Sequence, residues 1–220
     1  MDGATEQITA VEEEAVRSYA ERLMYRMHLT KGARFQAARR HKRRAIASTW
    51  AVTALSLYVF SSTSYLAVYD VAGAPNVEKP LILMSIVMSA FIIAFTVLEQ
   101  GKKHDLKAEL FLRCAQGVQE LHDRLDFVHR TGAHVTGEIE STVRKYNELL
   151  NSFSENHSET DFRTFRINIG KHKGEISFSV WHAVKYWLDC WVILLCAVVV
   201  PPTVFAWVVY FSVLTPHKSG

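Results

Sequence analysis

Charge is absent from three long stretches of this sequence. No Asp, Glu, Lys, Arg or His occurs between Ala45 and Tyr69, between Leu81 and Leu98, or between Cys190 and Thr215. The first two absences argue against a proton relay or an ion-coupled transporter, which need ionisable groups inside the membrane. Cysteine is scarce too. Cys114, Cys190 and Cys196 form no CxxC pair, which excludes a disulfide framework. Cys190 and Cys196 fall in or beside an apolar run and read as small hydrophobes. No cleavable signal is visible, because the first apolar run begins far into the chain and lacks a short h-region. There is no internal repeat and no low-complexity tract. The net charge of +3 over 220 residues averages apolar runs and charged stretches that have little in common.

As α-helices at 1.5 Å per residue, the first two runs reach about 37 and 27 Å. A bilayer's hydrocarbon core is about 30 Å thick. Both runs suffice to span it, and a soluble core helix rarely needs so long a stretch that is apolar on every face. Between them, residues 70–80 hold Gly73, Pro75 and Pro80, which mark a turn. The reading is a transmembrane helical hairpin over 45–98, with spans 45–69 and 81–98.

Cations set its orientation. Lys31, Arg34, Arg39, Arg40, Lys42, Arg43 and Arg44 precede the first span, and Lys102, Lys103 and Lys107 follow the second. The intervening loop carries only Lys79, beside Asp70 and Glu78. Positive residues stay on the cytoplasmic side. Both ends of the hairpin are therefore expected in the cytoplasm, and the loop outside. Trp50 at the inner end and Tyr65 and Tyr69 at the outer end suit the interfaces. Arg39, Arg40, Lys42, Arg43, Arg44, Lys102 and Lys103 are read as topology and lipid-headgroup residues. The run has Phe35 but no aromatic ladder, so specific nucleic-acid binding is not expected.

The first span carries Thr49, Thr53, Ser56 and Thr63 at helical spacing, and the second carries Ser85, Ser89 and Thr96. Such a stripe permits close helix packing with hydrogen bonds, the safer reading of the pattern alone. It also suits the lining of an aqueous path in an oligomer.

Residues 6–30 read as an amphipathic helix capped by Thr5, with Ile8, Val11, Ala15, Tyr19, Leu23 and Met27 on its apolar face. Residues 1–44 thus form a cytoplasmic helix and basic juxtamembrane stretch, and 99–189 a cytoplasmic helical region. There the second span's helix is expected to run on through Leu106, Leu110, Cys114, Val118, Leu121, Leu125 and Val128, until Thr131-Gly132 and Gly137 break it. A further helix presents Ile139, Val143, Tyr146, Leu150 and Phe153. Ser158 or Asp161 is expected to cap the next one. His157 and Asp161 lack a third ligand at metal-binding spacing. Asn156-His157-Ser158 is a glycosylation sequon on the side where none is used. Residues 190–215 read as a third transmembrane helix, kinked at Pro201-Pro202, with a re-entrant hairpin at those prolines as the alternative. Trp181, Trp187 and Trp191 would mark its inner interface, and Trp207 and Tyr210 its outer one.

Several short motifs occur in a telling order. TKGARFQAARR runs from Thr30 into the first span. The second span ends at Glu99, and Lys107-Ala108-Glu109 and Cys114-Ala115 follow. KYNELL runs from Lys145, and Glu155-Asn156-His157-Ser158 precedes Asp161. Over roughly residues 20–212 this order resembles the SLATT family, the SMODS- and SLOG-associating two-transmembrane effectors. It is most similar to the subfamily associated with reverse transcriptases. The resemblance implies a bacterial anti-phage conflict effector in the inner membrane that forms pores or disrupts the bilayer when a partner senses infection, often through a nucleotide signal. No polymerase, nucleotidyltransferase or sensor domain is recognised in the chain, so a separate sensing protein is expected, a reverse transcriptase or nucleotidyltransferase among the options. No catalytic residue carries over from the family, and no enzyme, cofactor or metal site is expected.

The expectation is an all-α protein: an integral membrane helical hairpin, a third C-terminal transmembrane helix and a cytoplasmic helical bundle. Its partners would be the lipid bilayer and further copies of itself. The rival function is a membrane-anchored adaptor that recruits a soluble enzyme.

Overall fold

The computed structural model describes residues 2–68, 75–131, 135–153, 155, 158–169 and 176–214. These are almost entirely helical, with no strand among them. They form six helices: α1 (Asp2–Val68), α2 (Pro75–Gly101), α3 (His104–Thr131), α4 (Val135–Ser152), α5 (Glu159–Asn168) and α6 (Ile176–Leu214). The chain divides into two compact units. The first comprises Met1–His41 and Leu106–Ala183, and the second Lys42–Asp105 and Val184–Gly220.

The N-terminal amphipathic helix, the basic stretch and the first apolar run are a single helix. No proline lies between Asp2 and Val68, so nothing removes a backbone donor along it. Thr5 lies inside α1 and does not cap it. At the other side of the first apolar run, Pro75 opens α2, a position where its missing N–H costs nothing. The rest of the expected turn, residues 70–74, lies outside the described residues. α2 does not run on into α3. The chain breaks at Lys102 and Lys103, whose amides bond back to the Glu99 and Gln100 carbonyls. Lys103 takes the left-handed φ of 49°. Thr131 ends α3 as expected, but Gly137 lies within α4 rather than in the break.

In the first unit Ala20, Leu23 and Met27 of α1 pack with Cys114, Val118 and Leu125 of α3 and with Ile139 and Tyr146 of α4. Val143, Leu150 and Phe153 pack against this cluster, as the pattern predicts. Two expected faces are shifted. Tyr19 is 44 % exposed, and Val16 and Ala20 take the inward positions. Leu106 is 50 % exposed while Ala108 and Phe111 are buried. A chain of four-residue steps overshoots the 3.6-residue turn by about 40° each time, so the steps from Cys114 back to Leu106 leave the core face. Gly117 admits Leu149, whose Cδ2 would lie 2.9 Å from an added Cβ.

The second unit is built from the end of α1, α2 and the later part of α6. Its core is Ala51, Leu55 and Ala197, flanked by Met88, Ile92, Phe95 and Leu194. Small residues on α1 let the helices approach closely, as membrane helices require. Two stretches, Glu14–Val68 and Leu81–Thr131, contain runs long and apolar enough to cross a membrane. In α6 the described apolar stretch Leu194–Val204 is shorter. α6 is continuous through Pro201 and Pro202, so the chain does not reverse there.

Candidate functional site

Most of the span hydroxyls bond to their own helix. Thr49 donates to the Ala45 carbonyl at 3.0 Å, Thr53 to Thr49 at 3.0 Å and Thr63 to Val59 at 3.0 Å. On α2, Ser85 donates to Leu81 at 2.9 Å, Ser89 to Ser85 at 2.8 Å and Thr96 to Ile92 at 2.7 Å. These bonds satisfy each hydroxyl proton and leave the oxygen lone pairs available.

The two stripes differ in exposure. Thr49, Thr53, Ser56 and Thr63 are all exposed on α1, whereas Ser85, Ser89 and Thr96 are half-buried. The α2 face is used inside the unit. Ser85 Oγ lies 3.0 Å from Ser62 Oγ of α1. Nearer the inner end, the buried Ser48 donates to Glu99 Oε2 at 3.1 Å, and Glu99 also pairs with Lys102. These two contacts fasten α1 to α2. On the side of α6, the Tyr58 hydroxyl donates to the Val198 carbonyl.

Two recesses flank Met88 and Pro201. One, of about 290 Å³, is bounded by Tyr58, Ser62, Tyr65, Ser85 and Pro202. The other, of about 440 Å³, is bounded by Leu55, Phe91, Phe95, Val192, Cys196 and Val200. The walls of both are apolar, so neither offers a hydrated path.

The basic residues have diverse surroundings. Arg39 and Lys103 are exposed, and Arg44 is half-buried. Lys42 pairs with Asp105 at 2.9 Å, both largely exposed. The Arg43 guanidinium lies 5.8 Å from the centre of the Tyr186 ring. Arg40, grouped by sequence with the headgroup residues, instead turns inward. Its guanidinium reaches Asp161 Oδ2 at 2.9 Å, and the Asp161 side chain is fully buried. Buried charge needs a partner, and this pairing accounts for both positions. Arg34 is also buried, donating to the Glu155 carbonyl at 3.0 Å and lying over the Phe111 ring.

Of the two residues expected as alternatives to cap α5, Ser158 is the cap, and Asp161 completes a capping box with it. His157 and the rest of the sequon's centre lie outside the described residues. Among the described residues no group of three or more His, Cys, Asp or Glu is placed to hold a metal. Burial pushes the Cys114 thiol above its ordinary value, against the opposing charge of Arg34.

The family model described as "SMODS and SLOG-associating 2TM effector domain family 5" matches residues 16–207. The match carries the family and not the association with reverse transcriptases. No curated protein and no solved structure matches.

Proposed function

From a chain that belongs to the SMODS- and SLOG-associating 2TM effector domain family 5, and so to the membrane effectors of conflict systems, we propose that copies assemble in the bacterial inner membrane into a permeation path. A separate sensing partner, a reverse transcriptase or nucleotidyltransferase among the options, would open it. The observation that carries this reading is the exposed hydroxyl face of α1, at Thr49, Thr53, Ser56 and Thr63. The hydroxyl protons of Thr49, Thr53 and Thr63 are taken up within the helix, which leaves their oxygen lone pairs available. A second copy turned to the same face would surround a path with hydroxyl oxygens in place of lipid. The α2 hydroxyls, for which the sequence pattern suits either packing or lining, serve packing in this reading.

In this reading α6 is a third crossing. Residues 1–44 and 99–189 are cytoplasmic, and the loop after Val68 and the C-terminus lie outside. Arg39, Arg43 and Lys103 are the residues offered to lipid headgroups. The half-buried α2 stripe and the apolar recesses favour the second reading, in which the spans only anchor an adaptor.

The two readings separate on reconstitution in liposomes of inner-membrane lipid, with and without the protein encoded beside this one. The proposal expects dye or ion release together with a crosslinkable oligomer. Intact vesicles in the presence of the partner and its signal would leave the anchored adaptor.

A further inference from the structure

The helix α5 is held differently from its neighbours. The core of the first unit draws on α1, α3 and α4. Among the described residues no α5 side chain is in that cluster. At ten residues α5 is shorter than the roughly 12–15 at which an isolated helix begins to hold. Its attachment is therefore tertiary, and it includes a set of specific contacts outside that cluster.

Among those seen, three on α5 and the residues just ahead of it are polar and one is aromatic. Arg40 of α1 bonds Asp161 Oδ2 at 2.9 Å. Just ahead of α5, Arg34 bonds the Glu155 carbonyl at 3.0 Å, and Lys107 of α3 pairs with the Glu155 carboxylate at 2.8 Å. The Phe165 ring lies over Gly32, its Cζ 2.1 Å from where a Cβ would stand, and 5.6 Å from the His28 ring.

The Asp161 carboxylate is served on one side only. Ser158 N, Ser158 Oγ and the Arg40 guanidinium all converge on Oδ2. Oδ1 is buried and accepts no hydrogen bond among the described residues. A buried charge pair with unsatisfied lone pairs recovers little beyond its desolvation cost. Opening the contact would hydrate Oδ1, so the closed state is shallow.

We propose that α5 with its Ser158 cap is a releasable strap on α1. It opens as a unit while α1, α3 and α4 stay packed, and it uncovers Gly32 and the Arg40 guanidinium. Regions held by few apolar contacts open at lower free energy than the core. The Arg40–Asp161 pair is the fastener.

Hydrogen–deuterium exchange on the full-length protein in lipid nanodiscs tests this. Arg40→Gln keeps the capping box and removes the cation. Exchange over residues 159–168 should then rise at least about tenfold, while residues 111–125 of α3 keep wild-type protection. Lys107→Gln should act in the same direction with a smaller effect. The double variant Arg40→Gln with Asp161→Asn removes the stranded carboxylate, so it should be more protected over α5 than Arg40→Gln alone. Unchanged exchange over α5 in Arg40→Gln would overturn the proposal. So would equal acceleration over α3, which would make α5 part of the cooperative core. Exchange is read without any leakage measurement, so failure of the permeation reading does not decide this test.

Discussion

The Tyr58 hydroxyl donates to the Val198 carbonyl at 3.1 Å, and that carbonyl stands four residues ahead of Pro202. In an unbroken helix the amide at position 202 would serve it, and proline has none. Tyr58 on α1 therefore supplies a hydrogen bond that α6 cannot supply itself. In an apolar environment such replacement is what makes a mid-helix proline tolerable. One turn on, Thr203 donates to the Val199 and Val200 carbonyls at 3.0 and 2.8 Å.

Tyr58→Phe should therefore cost about 1 kcal/mol in reversible unfolding in micelles. The same substitution in a Pro202→Ala background should cost less, since alanine at that position restores the intrahelical donor. A double-mutant cycle measures the coupling. Equal costs in both backgrounds would mean that the hydroxyl does not serve this carbonyl.

Gly32 is unusual in the middle of a long helix, where glycine costs about 1 kcal/mol relative to alanine. The Phe165 ring occupies the space a side chain would take. Gly32→Ala should displace the ring and its contact with His28 and lower stability. In a Phe165→Ala background the same substitution should raise stability by up to about 1 kcal/mol, because only the helix preference remains. The change of sign is the readout, by thermal or denaturant unfolding. Stabilisation in both backgrounds would show that the ring moves aside at no cost.

The membrane character of the chain was legible because it depends on composition alone. A long uncharged run with cations at one end needs no knowledge of neighbours. Core faces were legible where the helical period held, as at Cys114, Val118 and Leu125, and drifted where steps of four were extrapolated to Leu106. The tertiary pairs were not legible. Arg40 and Asp161 are 121 residues apart, and Ser48 and Glu99 are 51 apart. Nothing in a local pattern separates a basic residue that faces headgroups from one that meets a buried carboxylate. For the same reason the hydroxyl stripes of α1 and α2 looked equivalent in sequence, although only one is exposed.

Cys114 is fully buried, and its thiol is held above the ordinary value of 9.0, chiefly by that burial, with Arg34 opposing it. With Cys190 and Cys196 replaced by alanine, maleimide at neutral pH should label it only at the rate of unfolding. The raised value favours the neutral form in the folded state. Its contribution is complete below the unfolded-state value and is lost as pH rises toward the folded one. Stability should fall as pH rises above about 9, and that component should be missing in Cys114→Ala. Rapid native labelling, or identical alkaline profiles, would place the thiol at the surface.

The final prediction separates the two hydroxyl stripes. Ser56 is exposed on α1, and Ser85 is half-buried within hydrogen-bond distance of Ser62. If the α1 face lines a path, Ser56→Leu should narrow and dry it, lowering leakage several-fold while the crosslinked oligomer persists. Ser85→Leu should act differently. The bulkier side chain enters the α1–α2 contact, so it should lower thermal stability in micelles by about 1–3 kcal/mol. Assembly would then fail together with the fold. Liposome leakage, crosslinking and melting on both variants give the comparison. Loss of the oligomer in Ser56→Leu would make the exposed face a packing surface between copies, since small residues permit that approach. Unaltered leakage in Ser56→Leu with an intact oligomer would move the path away from this face of α1.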